Sequence, residues 1–303
     1  MRTPLKNIIC TTDFSDYSNH AIPYGIALAK EFDAKLYVCH VITLSSALVY
    51  GESTSDFEDV PERMTTYAHE QIKQLLGEQP VDWKPLITIG HVADEIARLA
   101  KEKGADMVIS ATHGRSGLKR LILGSVTERL MHTLPCPFLI VRSPERAFVA
   151  PASQEIKLRQ ILVGCDFSAD SLLAFQYGLN LAQEFQSDLH LVHVIEPPVY
   201  EDLLRPGVEA AEKSQQTLRD LLNQDLKDMI PEEAWNWCSP KVTLLVGHPH
   251  EELTKYALIN GIDLIVLGVR GLRLVERLFV GSTTGRVVRR APCSVLSVCA
   301  KPQ

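Results

Sequence analysis

The sequence has no C-x-x-C pair, no excess of positive charge, and no apolar run near the roughly 18 residues that a membrane-spanning helix needs. Its seven cysteines, Cys10, Cys39, Cys136, Cys165, Cys238, Cys293 and Cys299, are odd in number and scattered, several of them inside apolar runs. That pattern points to buried, reduced thiols in a reducing compartment. The formal net charge is −6, so neither nucleic acid nor a membrane is an expected partner, although a local basic loop can still hold phosphate. The first thirteen residues carry no long apolar stretch with a small-residue cleavage site, and a cytoplasmic location is expected. Catalytic signatures are missing too. There is no G-x-x-x-x-G-K-[ST], no G-x-G-x-x-G after a first strand, no G-x-S-x-G elbow, and neither HIGH nor KMSKS. P-loop kinases, dinucleotide enzymes, elbow-type serine hydrolases and adenylate-forming synthetases are thereby set aside.

What is present is a repeat. Asp13-Phe14-Ser15 recurs as Asp166-Phe167-Ser168, and Tyr24-Gly25 as Tyr177-Gly178. His40-Val41-Ile42 returns as His193-Val194-Ile195 at the same offset. Further on, Gly90-His91 matches Gly247-His248, Gly124-Ser125 matches Gly281-Ser282, and Pro135-Cys136 matches Pro292-Cys293, with the offset four residues longer. So many collinear matches define two copies of one domain, over residues 1–143 and 159–303, with a polar, proline-containing linker at 144–158. At 303 residues, with 46% hydrophobic and 22% charged residues, each copy can bury a core of its own.

Each copy predicts the same order of elements. A short apolar strand (Ile8 to Thr12; Ile161 to Cys165) leads into an amphipathic helix (Ser18 to Phe32; Ser171 to Phe185), with Ser15 or Asp16, and Ser168, as caps. A second strand (Lys35 to Ile42; Asp188 to Ile195) precedes a second helix, roughly Pro61 to Leu76 and Gly207 to Met229. A third strand ends at Gly90 or Gly247 and a third helix follows, Pro249 taking the first helical position in copy two. The fourth strand (Asp106 to Ala111; Asp263 to Gly268) runs through a glycine loop into a fourth helix near Gly124 or Gly281, and a fifth strand closes the copy. Strands alternating with helices mean an α/β fold with a parallel sheet covered on both faces. Ligands of such sheets lie at the carboxyl ends of the strands, where the winding direction reverses.

The loop after the fourth strand carries the chemistry. Copy two reads Gly268-Val269-Arg270-Gly271, nine residues, then Gly281-Ser282; copy one reads Ala111-Thr112-His113-Gly114, nine residues, then Gly124-Ser125. Glycines let the backbone approach a ligand closely. Successive amides form an anion nest, and a helix N-terminus favours phosphate. Arg115, Lys119 and Arg120 in copy one, and Arg270, Arg273 and Arg277 in copy two, can screen a polyphosphate. A strand-to-helix glycine turn is also common punctuation, but the same spacing in both copies favours the ligand.

The strings ATHGRSGLKRLILGSVTERL and GVRGLRLVERLFVGSTTGRV resemble the ATP-binding signature of the universal stress protein family, G-x2-G-x9-G-S/T. The resemblance covers nearly the whole chain in tandem. It implies two Rossmann-like domains of the adenine nucleotide α hydrolase type, each with a five-stranded parallel sheet, related by a pseudo-twofold axis. It implies ATP as ligand, with Mg near Asp13 and Asp166, which would face the ribose or phosphates. Val41 and Val194 would meet the adenine through backbone groups. Gly114, Gly124, Ser125 and Val126, with Gly271, Gly281, Ser282 and Thr283, would hold the phosphates. Gly268 is the first glycine of the motif in copy two; in copy one Ala111 stands there, where its methyl either is tolerated or crowds the ribose.

The expected function is an ATP-binding stress regulator or sensor rather than a fast enzyme, with no catalytic residue. Slow ATP hydrolysis, or a nucleotide-independent interaction module with protein partners or a homodimer of the fused pair, is the alternative. His113 sits where a general base would, but its repeat partner Arg270 cannot act as one. His248-Pro249-His250 suits a helix start better than a metal site, no metal motif being present. His40 and His193 end buried strands as hydrogen-bonded structural residues, and Trp235 and Trp237 are expected to pack. The segment from Thr43 to Pro61 differs from its counterpart, Glu196 to Pro206, and is the candidate lid or partner surface.

Overall fold

The computed structural model describes residues 5–43, 60–111, 124–142, 146–151, 153–196, 208–271 and 282–300. The first copy folds as β1 (Asn7–Thr11), α1 (Asp16–Asn19), α2 (Ile22–Phe32), β2 (Lys35–Ile42), α3 (Val60–Leu76), β3 (Trp83–Ile89), α4 (Val92–Glu102), β4 (Met107–Ala111), α5 (Ser125–Thr133) and β5 (Phe138–Val141). The second follows as β6 (Gln160–Gly164), α6 (Ala169–Phe185), β7 (Asp188–Ile195), α7 (Val208–Asp228), β8 (Lys241–Val246), α8 (Pro249–Ile259), β9 (Leu264–Gly268), α9 (Ser282–Arg290) and β10 (Ser294–Val298). A short 3-10 turn, Glu232–Asn236, precedes β8.

Within the first unit the strands are ordered β3-β2-β1-β4-β5, and within the second β10-β9-β6-β7-β8. The pairings inside each unit are parallel. The central strands are apolar on both faces because helices cover both: Ile8, Ile9 and Cys10 in β1 and Ile161, Leu162 and Val163 in β6 are fully buried. The winding reverses between β1 and β4, and again between β6 and β9. Asp13, Ala111, Asp166 and Gly268 therefore stand where a parallel sheet opens a crevice.

The expected first helix of copy one is two helices. α1 ends at Asn19 and α2 begins at Ile22, with Pro23 in its first turn. Proline has no N–H, and its ring collides with the carbonyl four residues back, so an unbroken helix cannot pass through it. Gln176 holds that place in copy two, and α6 runs continuously for 17 residues. The serine caps form as expected: Ser15 accepts from Ser18 N and Ser168 from Ser171 N. α2 and α6 end alike, on Asp33 and Gln186 in the left-handed conformation (φ 50° and 52°).

The connecting segment is not a bare polar tether. Phe148, Val149 and Leu158 are buried. Val149 bridges Ile156, and Arg146 donates to the carbonyl oxygens of Ala257 and Leu258 at the end of α8 (3.1 and 3.2 Å). One compact unit takes Pro4–Pro144 with Val149–Ile156, and the other takes Glu145–Phe148 with Lys157–Gln303. Trp235, expected to pack, is 56% exposed on the 3-10 turn.

Beneath α8 lies a buried polar chain. His190 Nδ1 is 2.8 Å from Tyr256 Oη, and Nε2 is 2.7 Å from Gln160 Oε1, while Gln160 Nε2 donates to Asp188. That last bond fixes the amide's orientation, so Oε1 accepts and Nε2 of the histidine carries the hydrogen. Burial first, then Lys241, push the His190 pKa down to about 4, against the opposing pull of Asp188. The unfolded chain takes up this proton below pH about 6.5, whereas the folded chain resists it until about 4. The residue's stabilising contribution is therefore complete above pH 6.5 and is lost as pH falls toward 4. Between pH 7 and 4.5 the wild type should lose about 1–3 kcal/mol more than His190→Tyr, which carries the residue found at this place in copy one, Tyr37. Urea midpoints of the two proteins at both pH values check this.

Candidate functional site

In the first unit the chain leaves β1 through a tight polar knot. Thr12 N bonds Cys39 O (3.0 Å), Phe14 N bonds Thr12 Oγ1 (2.9 Å), and Asp13 N bonds Ser18 Oγ (3.1 Å). Asp13 Oδ1 accepts from both Ser15 N (3.0 Å) and Ser15 Oγ (2.6 Å), an Asx turn that fixes the carboxylate. Phe14 adopts a left-handed conformation (φ 65°), which costs a bulky L-residue about 1–2 kcal/mol. Its ring stacks on His40 at 4.2 Å and meets Tyr67 edge-on at 6.3 Å. His40 Nδ1 lies 2.9 Å from Thr12 O; a carbonyl only accepts, so this nitrogen carries the hydrogen.

The second unit repeats the knot. Phe167 is left-handed (φ 62°) and lies against His193 at 5.2 Å, and His193 Nδ1 donates to Cys165 O (2.7 Å). Asp166 Oδ1 accepts from Ser168 N (3.0 Å). Both strand-two histidines thus act as the hydrogen-bonded structural residues that their place predicts. The same left-handed phenylalanine follows the same aspartate in both units, at the reversal point.

Opposite each aspartate is the end of the fourth strand. Gly124 caps α5 (φ −63°, ψ 140°) with no side-chain cap hydrogen bond, and exposed Ser125 and half-buried Val126 follow it. In the second unit Gly271 lies so close to Asp166 that a Cβ there would sit 2.6 Å from Asp166 Oδ2. Gly268 is tighter still, a Cβ meeting the backbone of Asp170 and Ser171 at 2.6 and 2.7 Å. Its missing side chain thus makes room for the start of α6. Val41 and Val194, each 9% exposed, end β2 and β7 beside Thr88 and Leu245. Thr283 is half-buried in α9, and Thr284 donates to Gly268 O (2.7 Å).

The chain belongs to the universal stress protein family. Its family model matches residues 4–142 and again 157–298. The universal stress protein MJ0531 of Methanocaldococcus jannaschii is 34% identical over 144 residues, covering 46% of this chain and 84% of that protein. The universal stress protein Slr1230 of Synechocystis is 24% identical over 316 residues, covering 97% of this chain and 99% of its own length. A crystal structure of a universal stress protein from Archaeoglobus fulgidus matches with a TM-score of 0.67 at 20% identity, over 97% of this chain and 98% of that one, and shares the fold.

In this universal stress protein one sequence expectation is corrected. Arg270, expected to screen a polyphosphate, is tied to an internal carboxylate. Its guanidinium is bound to Asp170, Nε to Oδ2 (3.0 Å) and Nη2 to Oδ1 (2.9 Å). Asp170 itself, buried at 3% exposure, was missed by motif reasoning because it lies within a helix, outside the glycine string. His113, Gly114, Arg115, Lys119, Arg120, Arg273, Arg277 and Gly281, and nearly all of the Thr43 to Pro61 segment, lie outside the described residues, as does the side chain of Ser282. His248 caps α8 and Pro249 opens it, as a helix start requires. Among the described residues no group of three His, Cys, Asp or Glu side chains could hold a metal, and no helix is long and apolar enough to cross a membrane. The described cysteines are free thiols, and burial pushes Cys39 up to about 12, so the proton stays on at neutral pH.

Proposed function

We propose that this universal stress protein binds ATP in both units and serves as a stress-response regulator or sensor rather than as a fast enzyme. The observation that supports the reading is an aspartate fixed by its own turn at each reversal point, together with the start of α5 in the first unit, where the Gly124 cap makes no side-chain bond. Amides of such a turn favour a polyanion, and the residue spacing resembles the family's ATP-binding signature, G-x2-G-x9-G-S/T. Val41 and Val194 would lie against the base, and Ser125, Val126, Gly271, Ser282 and Thr283 along the phosphates.

Mg fits the donor set. Asp13 or Asp166 offers one hard carboxylate per unit, and a divalent ion would complete its shell with phosphate and water oxygens, neutralising charge between carboxylate and nucleotide.

Purified protein should release adenine nucleotide when denatured, and phosphate release from added ATP should stay far below about 1 per second. Gly281→Val should weaken ATP binding in the second unit at least tenfold, about 1.4 kcal/mol, by calorimetry. Unchanged affinity would remove the phosphate position from that unit.

A further inference from the structure

We propose that Asp170 and Arg270 form a positioning device for the nucleotide site of the second unit, a device that the first unit lacks; this rests on the ATP-binding reading above. The root of the loop is tied at every residue. Gly268 O accepts from Thr284 (2.7 Å), Val269 N donates to Val298 O (2.8 Å), and Arg270 O accepts from Ser168 Oγ (3.1 Å). The Asp170 carboxylate gathers the rest. Oδ2 accepts from Arg270 N (2.9 Å) and Nε (3.0 Å), and Oδ1 from Arg270 Nη2 (2.9 Å) and Ala300 N (2.9 Å). Arg270 Nη2 returns a bond to Ala300 O (2.5 Å).

One buried carboxylate therefore joins the start of α6, the end of β9 and the chain after β10. Arg270 and Ser168 bracket the peptide that delivers Gly271 to Asp166, with 2.6 Å between the site of a Cβ and Oδ2. A bidentate arginine–carboxylate pair is the strongest side-chain clamp available for fixing a turn, because two parallel bonds set an angle as well as a distance. The chemistry is spent inside the protein. Arg270 spends its Nε and Nη2 donors on Asp170 and Ala300, so its part in holding a phosphate runs through the backbone that it fixes. Cys299, next to the clamp, stays a thiol, its pKa pushed up to about 11 by burial and then by Asp170.

The repeat partners of Asp170 and Arg270 are Tyr17, which is 56% exposed, and His113. They cannot form this ion pair. Ala111 replaces Gly268, whose missing side chain lets α6 approach β9, and α1 is the short broken helix. The second site is thus built before its ligand arrives, and its hold on the phosphate end of a nucleotide exceeds that of the first.

The test uses the full-length protein in a Gly124→Val background, which silences the first unit. Arg270→Met and Asp170→Asn are each titrated with Mg-ATP and with AMP, at low and high salt. ATP affinity should fall at least tenfold and AMP affinity less than threefold, a change in ratio that general loosening of the fold does not produce. The salt dependence of ATP binding should not change in Arg270→Met, because the lost charge never touched phosphate. ATP affinity within threefold of the parent, an equal loss for AMP and ATP, or a flatter salt dependence would each overturn the proposal while leaving the ATP-binding reading intact. Failure of the parent, natively folded by circular dichroism, to bind any adenine nucleotide would overturn that reading, and the positioning role with it.

Discussion

Gly268→Val is expected to destabilise the second unit by at least about 3 kcal/mol, while Ala111→Gly at the matching place in the first costs no more than about 1 kcal/mol. The asymmetry comes from what each position faces. A Cβ on Gly268 would lie 2.6 Å from the carbonyl carbon of Asp170 and 2.7 Å from the amide of Ser171. Those are backbone atoms at the capped start of a helix, so no rotamer change relieves them. The helix must lift, and the Ser168 cap, the Asp170 clamp and the Thr284 bond go with it. In the first unit an alanine already occupies the place, and the helix opposite is short and kinked at Pro23. Urea denaturation of the two variants beside wild type measures the difference, and equal losses would show that the close approach at Gly268 matters no more than its counterpart.

Asp170→Ala is expected to cost about 2–4 kcal/mol, against under about 1 kcal/mol for Asp82→Ala. Asp170 is 3% exposed, and its removal leaves the Arg270 guanidinium, 25% exposed, and the amides of Arg270 and Ala300 without their acceptor. An orphaned buried donor costs its full desolvation, whereas the arginine recovers part of its loss through its exposed edge. Asp82 also bonds a cation, Lys35 at 2.9 Å, but it is 66% exposed and water replaces the pair. Thermal unfolding of both variants compares them directly. If Asp170→Ala proved as mild as Asp82→Ala, the clamp would carry little energy.

Much of the fold was legible because the repeat supplied each element twice. β2 and β7 fall on the predicted bounds, since Lys35 to Ile42 and Asp188 to Ile195 are apolar runs cut off by polar turns. The caps at Ser15 and Ser168 were legible for a similar reason, a short hydroxyl ahead of a helical pattern. The break in the first helix was signalled by Pro23 but obscured by the unbroken counterpart in copy two, where the helix runs through Gln176. The connector looked polar by composition, and its buried anchors, Phe148, Val149 and Leu158, are too few to register as a pattern.

At the candidate site, sequence spacing singled out the aspartates, the glycines and the serine-bearing helix starts, because their intervals recur in both copies. It misassigned Arg270, since a charge beside a phosphate loop has the same appearance in one dimension whether it points outward or is already paired. Its partner Asp170 lies 100 residues away in sequence.

Sequence alone therefore determined the family, the duplication and the α/β order of elements, all consequences of local pattern and motif interval. Only the tertiary structure decided which charges meet, that Phe14 and Phe167 are left-handed, and that Gly268 makes room for the start of a helix. Those outcomes depend on distances between segments far apart in the chain, and it is close packing rather than local propensity that sets them.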